Sequence, residues 1–223
     1  MIFLDSLEYL FLCLSTLIAL VNPLGIAPLF LVLTERFNPA ERIIIAKKGT
    51  FTASIILIIF GLVGTYIFKF YGLTVDAFRI MGGIIFFRNG LRMLEVKLSR
   101  GRSTPKETEE NLESNDIAIS PIGIPIIAGP GSITAAMILS GDAHNFIDYG
   151  VLIFAIIFTM ALTFYTFKGS DRLSKKLGAT GFRIIQRIMG ILLMVIAVQF
   201  VINGITPVFV NIIEEVGKST IVR

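Results

Sequence analysis

Apolar residues fill six long runs of this chain, at positions 9–33, 50–71, 75–94, 117–139, 149–167 and 182–208, with polar residues gathered between them. A helix rising 1.5 Å per residue needs about 20 mainly apolar residues to cross the ~30 Å hydrocarbon core of a bilayer. Each run is near that length or beyond it, so the pattern predicts six transmembrane helices. The longest polar interval, EVKLSRGRSTPKETEENLESND at 95–116, is dense in charge, Ser and Thr and parts three spans from three. It reads as a solvated tether, because such a composition buries too little apolar surface to order itself. The expected organisation is an all-α membrane protein with a three-span repeat at 1–94, a cytoplasmic polar linker at 95–116 and a second three-span repeat at 117–223.

Two runs interrupt their own pattern. VNPLGIAP at 21–28 sits inside the first run, and SPIGIPIIAGPGS at 120–132 sits inside the fourth. Proline removes a backbone N–H and clashes with the preceding turn, and glycine loosens the backbone further. In hydrocarbon the carbonyls freed in this way have no water, so a break persists only where protein or a wet cavity satisfies them. A lone proline would be read as an ordinary kink. Here Asn22, Pro23, Gly25 and Pro28 cluster in one span, and Pro121, Gly123, Pro125, Gly129, Pro130 and Gly131 cluster in its counterpart. The first and fourth helices are therefore expected to be broken near the midplane.

The halves echo each other. Pro23-Leu24-Gly25-Ile26 resembles Pro121-Ile122-Gly123-Ile124, and Arg79-Ile80-Met81-Gly82 recurs as Arg187-Ile188-Met189-Gly190. An odd number of spans in each half makes the halves enter from opposite sides, which would be an inverted repeat, a construction common in secondary transporters. Pro23 and Pro130 each lie roughly 20 Å into their spans at 1.5 Å per residue, so the two breaks can meet. The string match pairs Pro23 with Pro121 and depth pairs it with Pro130; both regions stay candidates.

Charge sets the orientation. Arg36, Arg42, Lys47 and Lys48 follow the first span, Arg88, Arg92, Lys97, Arg100, Arg102 and Lys106 flank or occupy the linker, and Lys168, Arg172, Lys175, Lys176, Arg183 and Arg187 follow the fifth span. Only Lys69, Arg79, Lys218 and Arg223 fall on the opposite side. The rich side is cytoplasmic by the positive-inside rule, which puts both termini outside. The N-terminus has Asp5 and Glu8 and no basic residue before its apolar run, so it reads as a retained span, not a cleaved signal. The chain is 54% hydrophobic and 16% charged, and its +4 net charge is dispersed between apolar runs, which argues against a nucleic-acid partner. One cysteine, Cys13, makes neither a disulfide within the chain nor a thiolate metal site, and no metal or catalytic residues are expected.

The chemistry expected of the breaks follows from helix ends. The second half-helices, starting near Ile26 and Ser132, aim free N–H groups and positive dipole ends at the midplane, where a carboxylate fits. The incoming half-helices end there with carbonyls for an ammonium group or a cation. Ser132 and Thr134 follow the second break, and Ser132 can serve as N-cap or touch the ligand; Asn22 can cap its half-helix or donate its amide N–H. Arg88, the one basic residue well inside a span, is near enough to the cytoplasmic end to snorkel. A site without fixed charge suits a zwitterion, and close backbone leaves little room for a side chain, so the expected substrate is a small neutral amino acid. The candidate binding residues are Asn22, Pro23, Leu24, Gly25 and Pro28 with Pro121, Gly123, Pro125, Ala128, Gly129, Pro130, Gly131, Ser132 and Thr134. Gln199 with Asn203, and Thr159 with Thr163, are expected to form interhelical hydrogen bonds.

NPLGIAP in the first span and PIGIPIIAGPGSIT in the fourth resemble the MarC family of prokaryotic inner-membrane proteins, which includes small neutral amino acid transporters. The resemblance extends to the length, the six spans and the linker after the third. It implies a multi-pass plasma-membrane protein with two inverted three-helix repeats. It also implies uptake or exchange of glycine, alanine and similar amino acids, driven by an ion gradient or the membrane potential. No cofactor is expected. Coupling to H+ or Na+ stays open, though sodium held by unwound carbonyls needs no charged side chain. A homo-oligomer stays open too, and no G-x-x-x-G pattern occurs.

The alternatives are an aquaporin-like channel and an exporter of another small neutral solute. A channel of that kind would have an Asn before the second set of prolines and an Arg after a break, and neither is present. A serine hydrolase would need a base near Ser132, but His144, the single histidine, lies beyond the end of that span.

Overall fold

In a computed structural model, which describes residues 2–95 and 114–221, the chain is built of helices with no strand among the described residues. In chain order these are α1 (Ile2–Val21), α2 (Pro23–Leu33), α3 (Pro39–Tyr71), α4 (Val75–Leu94), the short α5 (Ser114–Ile117), α6 (Pro130–Asp142), α7 (Phe146–Lys168) and α8 (Ser170–Ile221), with an irregular, wide-turned segment Ala118–Ile127 before α6. Apart from Glu95 and residues 114–116, the expected linker lies outside the described residues.

Four helices are long and apolar enough to cross a membrane, or five when Ala118–Ile127 and Pro130–Asp142 count as one bent span. The sequence pattern predicts six. The difference is α4, which has 20 residues but carries Asp76, Arg79, Arg88 and Arg92 along it. It is sheltered by α8, with which it makes the most extensive helix pair in the chain. The two run antiparallel at close range. A Cβ added to Gly90 would lie 2.6 Å from the Gly190 carbonyl oxygen, one added to Gly83 would lie 2.7 Å from that of Ala197, and one added to Gly204 would lie 2.7 Å from that of Asp76. Small residues let membrane helices approach until their backbones touch.

Element boundaries also depart from the apolar runs. Polar capping extends α3 to 33 residues: Asn38 accepts from the N–H groups of Ala40 and Glu41, and the Glu41 carboxylate accepts from the Asn38 N–H, a complete capping box. Its far end stops at Gly72, whose φ of 65° suits a residue without Cβ. The helix of the sixth run, α8, begins twelve positions before its apolar run and turns at Gly178, where φ is 59°. Arg42 secures the turn after α2 by donating from Nε to the Thr34 and Phe37 carbonyls, and it pairs with Asp171 at 3.2 Å.

The helices of the two expected repeats interleave. α3 packs on α6, α7 and the Ala118–Ile127 segment, and α1 packs on α7. The main core joins Leu17, Phe30, Leu57, Ile122, Leu139 and Ile156, and Phe30 stacks on Phe167 with ring centroids 4.2 Å apart. A second cluster around Phe86, Leu193 and Phe200 seals α4 against α8.

Two expected contacts are corrected. Thr163 Oγ1 donates to the Thr159 carbonyl within α7 at 2.8 Å, and the buried Thr159 hydroxyl has no partner. Gln199 donates to Asn203 within α8, so neither residue bridges to another helix among the described residues. In both cases i,i+4 spacing on one helix offers the nearer partner.

Near the start of α4, Arg79 pairs with Asp76 at 2.6 Å and also with Asp142 at the end of α6. Arg79→Leu leaves the Asp142 side chain, 17% exposed, without its cation. Breaking a fully buried pair costs 3–5 kcal/mol, but partial exposure lowers this, so the expected loss is about 1–3 kcal/mol. Thermal unfolding in detergent should show it as a fall of several degrees, with Arg79→Lys recovering only part.

Candidate functional site

The first interruption is a single residue. Ser6–Leu33 continues as one 28-residue apolar span, and Asn22 alone leaves the helical region, with φ 47° and ψ 63°. This left-handed conformation is costly for most residues, and asparagine is among the few that adopt it readily. Backbone bonding continues across it: the Asn22 N–H donates to the Ile18 carbonyl at 2.9 Å, and the Ile26 N–H donates to the Asn22 carbonyl at 3.1 Å. The side chain caps α2, with Oδ1 accepting from the Gly25 N–H at 3.2 Å. That leaves the two Nδ2 hydrogens as what Asn22 can offer a ligand. Gly25 makes room for this cap, since a Cβ there would lie 2.0 Å from Nδ2. The first span is therefore continuous through one left-handed residue, and the unwound break expected there is not seen.

The second interruption is long. Ser120 and Ile124 have extended backbone inside Ala118–Ile127, the Ser120–Pro121 and Ile124–Pro125 peptides are cis, and the segment meets α6 at a 59° bend. Pro121, Pro125 and Pro130 withdraw a donor about once per turn, so no regular helix can pass through. α6 then starts at Pro130 with Gly129 as its N-cap and no side-chain cap. Ser132 is therefore not the N-cap that the sequence allowed: it is buried in the first turn, where the opening N–H groups lack a capping oxygen.

The two interruptions approach each other through Gly131. A Cβ at that position would lie 3.4 Å from Cδ2 of Leu20 and 3.3 Å from Nδ2 of Asn89. Leu20 is two residues before Asn22, so the depth pairing with Pro130 describes the geometry better than the string pairing with Pro121. Gly123 packs instead against Gly49 and Thr52 of α3. Thr134 sits against Gly82 of α4. Ala128 is buried, Gly129 is partly exposed, and Pro125 and Pro130 are exposed.

Two polar residues of this region escaped the sequence reading. Gln186 on α8 donates from Nε2 to the Gly25 carbonyl at 3.1 Å, beside the Leu24 carbonyl that Pro28 leaves without its usual donor. Asn89 on α4 turns its amide to Gly131, while its neighbour Arg88 is exposed. Their only sequence signal is polarity next to an arginine. Gln186→Leu should lower stability by about 1 kcal/mol through the lost bond to Gly25, read as a lower unfolding midpoint.

A cavity of about 120 Å³ opens beside the first junction, lined by Ile18, Asn22, Pro23, Leu24, Leu162, Thr166 and Met189. No residue of the second interruption lines it. Sites for drug-sized molecules run to roughly 300–1,000 Å³, so this space admits only a molecule of a few heavy atoms. Nearer the N-terminal end of α1, a larger cavity of about 540 Å³ is lined by Tyr9, Asp142, His144 and Asp148 among others. There the Tyr9 hydroxyl donates to the Leu139 carbonyl at 2.7 Å, closing α1 onto α6. Among the described residues no group of His, Cys, Asp or Glu is arranged to hold a metal ion.

Comparison with known proteins agrees with a membrane protein. The chain is 38% identical to the UPF0056 membrane protein MJ1677 of Methanocaldococcus jannaschii, over 90% of this chain and 97% of that protein. It is 38% identical to the UPF0056 membrane protein YvbG of Bacillus subtilis, over 87% and 92%, and 32% identical to the UPF0056 membrane protein YhcE of Escherichia coli, over 89% and 92%. No solved structure matches. Residues 7–209 match the family described as MarC family integral membrane protein, and over that extent the chain belongs to it.

Proposed function

We propose that the protein is a secondary transporter of small neutral amino acids such as glycine and alanine in a prokaryotic plasma membrane, and not an enzyme. The observation that carries this reading is the apposition of the two proline-interrupted segments at Gly131 and Leu20, with uncharged amides around them. Asn22 offers N–H donors beside a small cavity, and the first turn of α6 offers backbone N–H groups without a side-chain cap. Both suit a carboxylate. Carbonyls left by Pro28 and by the Pro121–Pro130 stretch suit an ammonium group. In this conformation the segments touch by packing, and separating α1 from α6 supplies the binding volume.

An inverted-repeat construction is part of the proposal, and the packing supports it. α1 lies on α7 as the Ala118–Ile127 segment lies on α3, and α2 lies on α8 as α6 lies on α4. Exchanging the halves thus exchanges these contacts, while α3 with α7 and α4 with α8 pair the halves directly. The distribution of Lys and Arg supports a topology with both termini outside.

Calorimetric titration of the purified protein tests the substrate class. Glycine and alanine should bind with saturation, and leucine, glutamate and lysine should not. Equal heats for all five, or none for glycine and alanine from folded protein, would remove the reading.

A further inference from the structure

Two amide side chains on α8 face outward at a depth where a bilayer offers them no water. Gln199 and Asn203 are both exposed, and Gln199 Nε2 donates to Asn203 Oδ1 at 2.7 Å. That one bond leaves the Gln199 carbonyl, its second N–H and both N–H groups of Asn203 without a partner among the described residues. The flanking charges are Arg187 and Glu214, and no charged residue lies between them. At 1.5 Å per residue each amide is roughly 16–18 Å from the nearer of those charges, beyond the reach of headgroups and near the middle of the span. The pair also belongs to a stripe: Leu192, Val195, Gln199, Asn203, Thr206 and Val210 recur at spacings of three and four and are all exposed.

We propose that this face of α8 packs against the same face of a second copy of the chain, with the Gln199 and Asn203 amides of each copy hydrogen-bonded to those of the other. Lipid tails cannot bond an amide, whereas an amide both donates and accepts, so two identical pairs complement each other. Copies inserted with one topology share a two-fold axis along the membrane normal, which brings Gln199 and Asn203 of both to the same depth. Beside the stripe, Gly83, Ala197, Val198 and Ile202 border an apolar hollow of about 250 Å³ that side chains of the second α8 fill. This contact stands independently of the transport reading.

Cysteine cross-linking in native membranes tests it. Cys13 is the chain's single cysteine and is buried, so a Cys13→Ala background is used. Val195→Cys and Thr206→Cys should each give a disulfide-linked dimer on oxidation, and Ile157→Cys, on the exposed face of α7, should not. In proteoliposomes, energy transfer between labelled copies should show Gln199→Leu/Asn203→Leu weakening association by about tenfold or more, with an unchanged unfolding midpoint. Cross-linking at Val195 and Thr206 no greater than at Ile157, cross-links only to a different polypeptide, or undiminished energy transfer in the double variant would each overturn the proposal.

Discussion

Asn22→Gly should yield a folded protein that binds glycine at least tenfold more weakly and transports it correspondingly less. Glycine accepts φ near 47° without strain, and replacing an asparagine cap by glycine costs only a few tenths of a kcal/mol. The unfolding midpoint should therefore move by about a degree or two. What disappears is the Nδ2 donor beside the small cavity, together with the oxygen that holds the Gly25 N–H. A hydrogen bond to a charged group is worth about 1.5–3 kcal/mol, so affinity for a carboxylate should fall at least tenfold. Asn22→Leu separates the two roles of the residue. It forces a bulky side chain into left-handed backbone, at about 1–2 kcal/mol, and also loses the cap, about 1 kcal/mol more. This variant should lose both stability and binding. Titration and thermal unfolding of both variants check the pair, and wild-type affinity in Asn22→Gly would place the binding site elsewhere.

Gly131→Leu abolishes transport. The would-be Cβ is already at 3.3–3.4 Å from Asn89 and Leu20, tight but tolerable after a shift of a few tenths of an ångström. Gly131→Ala should accordingly keep a reduced rate. The further atoms of leucine must push into the buried contact between α1, α4 and α6, and overpacking of this kind costs about 1–3 kcal/mol. More important for function, the side chain occupies the volume that the proposed zwitterion needs when α1 and α6 separate. Initial rates of glycine uptake should rank wild type above Gly131→Ala and both far above Gly131→Leu. A leucine variant that transports at the wild-type rate would show that Gly131 borders no substrate path.

Much of this arrangement was legible in the one-dimensional pattern, and the rest was not for identifiable reasons. Clustered Pro and Gly announce a break wherever they occur, since the missing N–H groups are a covalent fact. How far a break extends depends on whether a neighbouring residue can absorb it. Asn22 absorbs the first in one left-handed residue whose backbone bonds persist, whereas two prolines a turn apart leave Ala118–Ile127 no such repair. The lengths of α3 and α8 exceed their apolar runs because caps and polar turns, not hydropathy, end a helix. The Asn38/Glu41 box was readable in principle. Gln186 and Asn89 were not, because which side of α4 and α8 turns inward is decided by glycine contacts such as Gly90 with Gly190, far apart in the chain. The charged residues of α4 explain why one expected span falls short of the hydropathy of the others while still being sheltered by α8.

Counter-flow of labelled glycine in proteoliposomes tests the central claim most directly, namely that two proline-interrupted segments meet to hold a small zwitterion. Vesicles containing the wild-type protein and preloaded with unlabelled glycine or alanine should accumulate label above empty vesicles. Sodium and proton gradients imposed in separate arms should identify the coupling ion, Asn22→Gly should reduce accumulation, and Gly131→Leu should reduce it to background. Folded wild-type protein that exchanges no small neutral amino acid in any arm, or exchange undiminished in both variants, would contradict the account.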